Sequence, residues 1–130
     1  MVIKQFKLSQ LEKEKLIRLK AKTGIPNWNT LCRWAFCWSV AEETIPGGID
    51  PQSDSNVEMD WSTFAGEYTE VFEAILRQRC INDNLGDAPE TLLKYFRLHL
   101  YRGINHYSTR DLIKNSRDLL KSILNGEAVQ

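Results

Sequence analysis

The chain has 130 residues, 42% hydrophobic and 26% charged, with a formal net charge of zero, values ordinary for one soluble globular domain. It has no run of 18 apolar residues to cross a bilayer, and Met1 to Leu8 lacks the continuous apolar stretch of a secretory signal. Three cysteines, an odd number, beside four tryptophans point to a reducing cytoplasm rather than a disulfide scaffold. The zero net charge conceals three blocks. Residues 1–40 hold eight basic side chains against two acidic, residues 41–90 twelve acidic against two basic, and residues 91–130 seven basic against three acidic. Two readings of this polarity stay open: a basic face for a polyanion with an acidic face for a protein partner, or mutual neutralisation within or between subunits.

Val2 to Leu8 alternates, with Val2, Phe6 and Leu8 on one side, and predicts a short strand that needs a partner. Ser9-Gln10-Leu11-Glu12 has the form of a capping box with Ser9 as N-cap. It opens a helix to about Lys22, which Gly24 and Pro26 terminate. Leu8, Leu16 and Leu19 share one arc, but Lys15 falls inside it and Ile17 opposite. Lys13 and Lys20 share one ridge, and Lys15, Arg18 and Lys22 another. A polyanion surface and a solvated lysine-rich flank both account for that pattern.

A second helix is expected from about Asn27 to Glu42. Trp28, Leu31, Cys32, Trp34, Ala35, Phe36, Cys37, Trp38 and Val40 leave it almost no polar face, so it is central in a core or shared with another subunit. A domain of this size has room for one central helix. The apolar excess therefore points to a homo-oligomer, expected as a tetramer, with Trp28, Trp34 and Trp38 at the interface. Arg33, the sole charge in that helix before Glu42, needs a partner or an anion.

Thr44 to Ser62 reads as a connector, with turn signals at Pro46-Gly47-Gly48 and Asp50-Pro51 and a short extended piece at Val57, Met59 and Trp61. A third helix follows Gly66, with Tyr68, Val71, Phe72, Ile75 and Leu76 on its inward face. After a break at Asn82 to Asp87, Asp87 and Glu90 form a second capping box with Pro89 in the first turn. The fourth helix runs to about Asn105 with Leu92, Leu93, Phe96, His99, Leu100 and Ile104 inward, and Gly103 is expected at a close helix contact. The last helix opens at Ser108 and closes near Asn125-Gly126. Opposite its apolar stripe, Arg110, Lys114, Arg117 and Lys121 form a row that either tracks a phosphate backbone or faces solvent. The expected fold is mainly α. It is a single compact domain over residues 1–130, with about five helices and a ribbon-helix-helix-like start in which a short strand precedes two helices.

Catalytic chemistry finds no support in the sequence. Cys32, Cys37 and Cys80 lack C-x-x-C spacing, and His99 and His106 are too few to close a metal site. Cys32 and Cys37 read as core cysteines. There is no glycine-rich phosphate loop, and the paired carboxylates fall on a loop and a solvated helix face. No enzyme, cofactor or metal site is expected. Nucleic-acid binding is the better-supported class, with Lys4, Lys7, Lys13, Lys15, Arg18, Lys20, Lys22 and Arg33 as candidate contacts.

The segment from Leu8 to Val40 resembles the opening of the DndE family of DNA sulfur modification proteins, through Lys20, Thr23, Gly24, Ile25, Asn29, Leu31, Cys32, Arg33, Ala35, Cys37 and Ser39. Glu58, Met59, Phe64, Gly66 and Glu67 resemble the family's segment ending F-x-G-E. His99, Arg102, Gly103 and Ile104 resemble its H-x-x-R-G-I. The matches span about residues 8 to 104. The resemblance implies a small helical homo-oligomeric accessory subunit of bacterial DNA phosphorothioation, distinct from the sulfur-transferring enzyme. Such a subunit binds double-stranded DNA with a preference for nicks, beside DndC and DndD. The alternative is a protein-interaction or scaffold subunit that does not touch DNA.

Overall fold

The N-terminal strand finds its partner within the chain. In the computed structural model, which describes residues 3–47 and 51–109, β1 (Gln5–Lys7) pairs antiparallel with β2 (Glu58–Asp60), Phe6 facing Met59 and Lys7 facing Glu58. The ladder extends past both strands, with Leu8 N–H donating to the Val57 carbonyl and Trp61 N–H to the Lys4 carbonyl. A strand followed by two helices opens the chain as expected. The ribbon, however, is completed by residues fifty positions away rather than by a second copy.

Among the described residues the α-helices are, in order, α1 (Gln10–Thr23), α2 (Trp28–Ala41), α3 (Trp61–Ala65), α4 (Thr69–Asn82) and α5 (Pro89–Ser108), with a 3-10 turn at Gly66–Tyr68. Helix α1 begins as predicted, since Ser9 Oγ accepts from the Glu12 N–H at 3.0 Å. The reciprocal half of the box is replaced, because the Ser9 N–H donates to Tyr101 Oη on α5. Gly24 ends the helix at φ 72, its N–H returning to the Lys20 carbonyl, a left-handed conformation that glycine adopts without a Cβ penalty.

Helix α2 crosses α5 at the centre of the molecule and is flanked by α1, α3 and α4. Leu31, Cys32, Ala35, Phe36 and Ser39 are buried. At the crossing, a Cβ on Gly103 would lie 1.9 Å from the Ala35 carbonyl oxygen, so the two backbones touch. The core is aromatic. Phe96 on α5 lies 4.7 Å from Phe6, 5.3 Å from Phe36, 5.1 Å from Trp61 and 5.1 Å from Phe64 between ring centroids. Such tilted and edge-to-face pairs are each worth roughly 0.5–1.5 kcal/mol beyond burial.

Four sequence expectations are corrected. Trp61 is not the end of an extended piece. The strand stops at Asp60, and Trp61 opens α3 with its indole buried, since that side chain fills the space against Phe64 and Phe96. On α4 the buried residues are Phe72, Leu76 and Cys80, while Tyr68, Val71 and Ile75 point to solvent at 56%, 52% and 38% exposure. The 0, 3, 4, 7, 8 spacing spans two adjacent stripes, and the body of the molecule covers one. The N-cap of α5 is Ala88, without a side-chain bond; Asp87 pairs with Arg77 at 3.2 Å instead. Cys37 is exposed rather than in the core. The predicted last helix, with Arg110, Lys114, Arg117 and Lys121, lies outside the described residues.

Candidate nucleic-acid interface

The basic side chains of the N-terminal block divide by what they touch. Arg18, Lys20 and Lys22 are exposed on the outer face of α1, and Lys4 and Lys7 are exposed on the arm before and within β1. Among the described residues none of these five forms an ion pair. Lys20 and Lys22 occupy the last turn of α1, where cations also complement the helix dipole by roughly 0.3–1 kcal/mol. Leu11 and Ile17, 56% and 48% exposed, are interleaved with these cations, so the outer face of α1 is amphipathic rather than simply solvated. Lys13 is half-buried, its Nζ donating to Asn56 Oδ1 at 2.6 Å.

Two of the candidates serve the fold. Lys15 Nζ donates to Asn105 Oδ1 on α5 at 3.0 Å and lies 3.6 Å from Glu12 Oε2, which ties α1 to α5. Glu12 is buried and its Oε2 has no hydrogen-bond partner. Burial holds its carboxyl above the usual range, and the Lys15 charge pulls in the other direction. Among the described residues Arg33 bonds carbonyl oxygens rather than a carboxylate. Its Nε donates to the Phe64 carbonyl and its Nη2 to the Thr63 carbonyl at 3.3 Å, closing the C-terminus of α3. Gly66 sits above it, at φ 62, where a Cβ would lie 3.3 Å from Arg33 Nη2.

The tryptophans of α2 are half-buried. Trp38 stacks on His106 of α5, centroids 3.8 Å apart and planes 10° from parallel. Trp34, Cys37 and Trp38 share one outward face, following the three- and four-residue spacing of a helix. Trp28 Nε1 is buried without a hydrogen-bond partner.

A cation network that sequence reasoning missed closes the far end of α2. Arg79 donates to the carbonyls of Val40 at 2.8 Å, Glu42 at 2.5 Å, Glu43 at 3.3 Å and Thr44 at 2.6 Å. Asp83 Oδ2 accepts from its Nε at 2.8 Å. Arg102 donates through Nη2 to the Ser39 carbonyl and through Nε to Ser39 Oγ, each at 2.8 Å. Ser39 Oγ in turn lies 2.8 Å from His99 Nδ1. Arginine only donates, and Ser39 Oγ, with one proton and two lone pairs, donates to His99 Nδ1 or accepts from it according to the histidine tautomer. Burial, then the charges of Arg79 and Arg102, hold His99 down to about 3. Ser39 is fully buried and His99 is 1% exposed, so this serine–histidine contact has no access for a substrate. The described residues contain no cluster of three His, Cys, Asp or Glu side chains able to hold a metal ion, and no helix among them is long and apolar enough to cross a membrane.

The residues that carry the family resemblance thus meet at joints. Arg33, Phe64 and Gly66 form the α2–α3 joint, and Ser39, His99, Arg102 and Gly103 the α2–α5 joint. Comparison with known proteins agrees. The sequence profile of the DNA sulphur modification protein DndE matches residues 5–115. The chain belongs to the DndE family. Its fold is similar to that of a DndE from Escherichia coli B7A, described as involved in DNA phosphorothioation modification. The similarity is TM-score 0.67 at 26% identity, over 85% of this chain and 100% of that one. A DndE G21/24K mutant, also described as involved in DNA phosphorothioation, shares the fold with TM-score 0.65 at 24% identity, over 81% of this chain and 97% of its own. No curated protein matches the chain.

Proposed function

We propose that this DndE-family protein is an accessory, non-catalytic subunit of the DNA phosphorothioation machinery, cytoplasmic and homo-oligomeric as a tetramer. In this reading it binds double-stranded DNA, with preference for nicked duplex, through the outer face of α1 and the adjoining arm. The observation that carries it is the set of five exposed cations, Lys4, Lys7, Arg18, Lys20 and Lys22, none of them in an ion pair among the described residues. Lys13 stands at its edge; Lys15 and Arg33 position the elements behind it. Lysine and arginine neutralise phosphates and release counterions, a term that carries no sequence information. An oligomer repeats the surface, and a multivalent basic face holds a bent or flexible backbone best where a nick lowers the cost of bending.

A second reading concerns the acidic half. Tyr68, at the end of the 3-10 turn, and Val71 and Ile75 of α4 form an exposed apolar stripe beside the exposed Glu67 and Glu70. Exposed apolar stripes with a polar rim suit protein contacts, and docking to other phosphorothioation subunits such as DndC and DndD is the role proposed for it.

The test is a gel-shift titration of nicked and intact duplex at two salt concentrations. It compares the native chain with a variant carrying Lys13, Arg18, Lys20 and Lys22 changed to alanine and with one carrying Arg110, Lys114, Arg117 and Lys121 changed. For Z neutralised phosphates, log K falls with log salt at a slope of roughly −0.9 Z, so the α1 variant is expected to lose up to about four units of slope. Native affinity and slope in that variant, with both lost in the other, would move the interface to the C-terminal row. No binding to either duplex by the native chain would leave the protein-docking reading.

A further inference from the structure

A cation that the DNA surface described above does not use points to a separate site. The first turns of α5 present Glu90, Leu93, Lys94, Arg97 and Tyr101 at spacings of three, four, seven and eleven, which is one helix face. This face rests on the core through Leu93 and Tyr101 and leaves Glu90 exposed. It looks across a groove toward the N-terminal arm and Pro51. The groove consists of two adjoining cavities of about 580 and 240 Å³ that share Glu90 and Leu93. Lys4 enters from the arm side, and Lys94 and Arg97 from the helix. Among the described residues that line the groove, three are cations and one, Glu90, is a carboxylate. Arg97 Nε is buried without a hydrogen-bond partner, although Arg97 itself is half-buried. Buried donors in folded proteins are almost always paired, so an unpaired one on a residue that lines a groove leaves room for an acceptor. One turn beyond Arg97 on the same helix, Tyr101 Oη accepts from the Ser9 N–H at 3.0 Å and donates to the Gln52 carbonyl at 2.6 Å.

We propose that this groove is a nucleotide-phosphate site. Arg97 and Lys94 receive the phosphate, Leu93 with its proline neighbours supports the sugar or base, and Glu90 accepts from a hydroxyl or amino group of the same ligand. The guanidinium fork suits phosphate oxygens. The larger of the two spaces, about 580 Å³ and open to solvent, is wide enough to seat a nucleotide. Glu90 decides the ligand class. A bare inorganic anion gains from the cations and is repelled by the carboxylate, whereas a nucleotide brings donors that a carboxylate needs. The phosphate has two sources, a DNA strand or a free nucleotide. The first rests on the DNA-binding reading, because Lys4 belongs to both surfaces. The second does not.

The test is calorimetric titration of the full chain with deoxyadenosine 5′-monophosphate and with inorganic phosphate, followed by nicked duplex carrying a 5′-phosphate. The variants are Arg97→Met, which keeps the aliphatic stem, Lys94→Ala, Glu90→Gln, and the four-alanine α1 variant. The native protein is expected to bind the nucleotide more tightly than phosphate. Arg97→Met should lose at least about tenfold in nucleotide affinity at unchanged melting temperature. If that variant does not fold, Lys94→Ala carries the same expectation. Glu90→Gln is expected to narrow the preference for nucleotide over phosphate, and the α1 variant to keep native nucleotide affinity. A parallel loss of nicked-duplex affinity in Arg97→Met assigns the phosphate to a strand; unchanged duplex affinity assigns it to a free nucleotide. If the native chain binds nucleotide but no duplex, the DNA-binding reading fails and the groove stands. No nucleotide binding by the native chain, or equal affinity in folded Arg97→Met and Lys94→Ala, overturns the proposal.

Discussion

A methyl group at residue 103 would meet the main chain of Ala35, with 1.9 Å to the oxygen and 2.3 Å to the carbonyl carbon. The obstacle is backbone, so α2 and α5 have to move apart. Overpacking of this kind costs about 1–3 kcal/mol and more when elements must shift. Gly103→Ala is therefore expected to lower the melting temperature by on the order of 10 °C, and an unchanged melt would mean the helices do not touch. His99 gives a pH-dependent prediction. Its folded value is about 3 against an ordinary 6.5, from burial first and the two arginines next. A depressed histidine contributes stability that is full above pH 6.5 and declines as pH falls from there toward 3. The slope is up to about 1.4 kcal/mol per pH unit. Urea unfolding of His99→Gln at pH 7.5 and pH 5 should show less loss on acidification than the native chain, and equal losses would assign the acid sensitivity elsewhere. Of these two residues, sequence reasoning reached the close contact of Gly103, because a glycine inside a helix needs a reason. It missed the bonding of His99, because an inward histidine does not reveal a partner sixty residues away.

At the scale of elements, local signals were legible and long-range ones were not. Helix α1 could be read because Ser9 and Gly24 act on backbone within a few residues of themselves. Helix α3 was not foreseen, since Val57, Met59 and Trp61 alternate as a strand would and only burial against Phe96 turns Trp61 into a helix start. The inward face of α4 was half right: Phe72 and Leu76 are buried, but helical spacing alone cannot tell which of two neighbouring apolar stripes the body covers. The arginine closure of α2 had no sequence signal, as Arg79 reaches carbonyls thirty-five and more positions back. That closure predicts that Arg79→Ala costs on the order of 2–4 kcal/mol, because several carbonyls lose a charged donor at once. Chemical denaturation reads the cost. A value near that of an exposed arginine would mean water replaces the guanidinium without loss. Of the eight cations expected at the DNA surface, the sequence could not separate exposed Arg18 from Arg33 beneath Gly66, because the difference lies in what packs beside them.

The whole molecule is polar in charge and unevenly covered in apolar area. Cations cluster on α1 and the arm, carboxylates around α4, and the outward face of α2 carries Trp34, Cys37 and Trp38. That face contains its own reporter. Cys32 and Cys80 are buried while Cys37 is exposed, and burial pushes Cys32 up to about 12, so a thiol reagent added to folded monomer should modify Cys37 ahead of the other two. If the Trp34–Trp38 face is the proposed oligomer contact, modification of Cys37 should slow as protein concentration rises and quicken in Trp34→Glu. Labelling rates independent of concentration, together with a monodisperse oligomer by light scattering, would place the contact on another surface.

The joining of Ser9 and Lys15 to α5, through Tyr101 and Asn105, has a consequence for the order of synthesis. A helix whose N-cap bonds to residue 101 and whose side chain bonds to residue 105 leaves the ribosome long before its supports. Strand β1 likewise waits for Glu58–Asp60. Pairings this distant in sequence close late and slowly. The lysine-rich segment therefore spends translation as an unanchored basic tail, and the placing of its exposed cations is set among the final events of folding. Pulse-labelled hydrogen exchange during refolding should show helical amides, bonded four residues away, protected before those of β1, whose partners lie beyond residue 57.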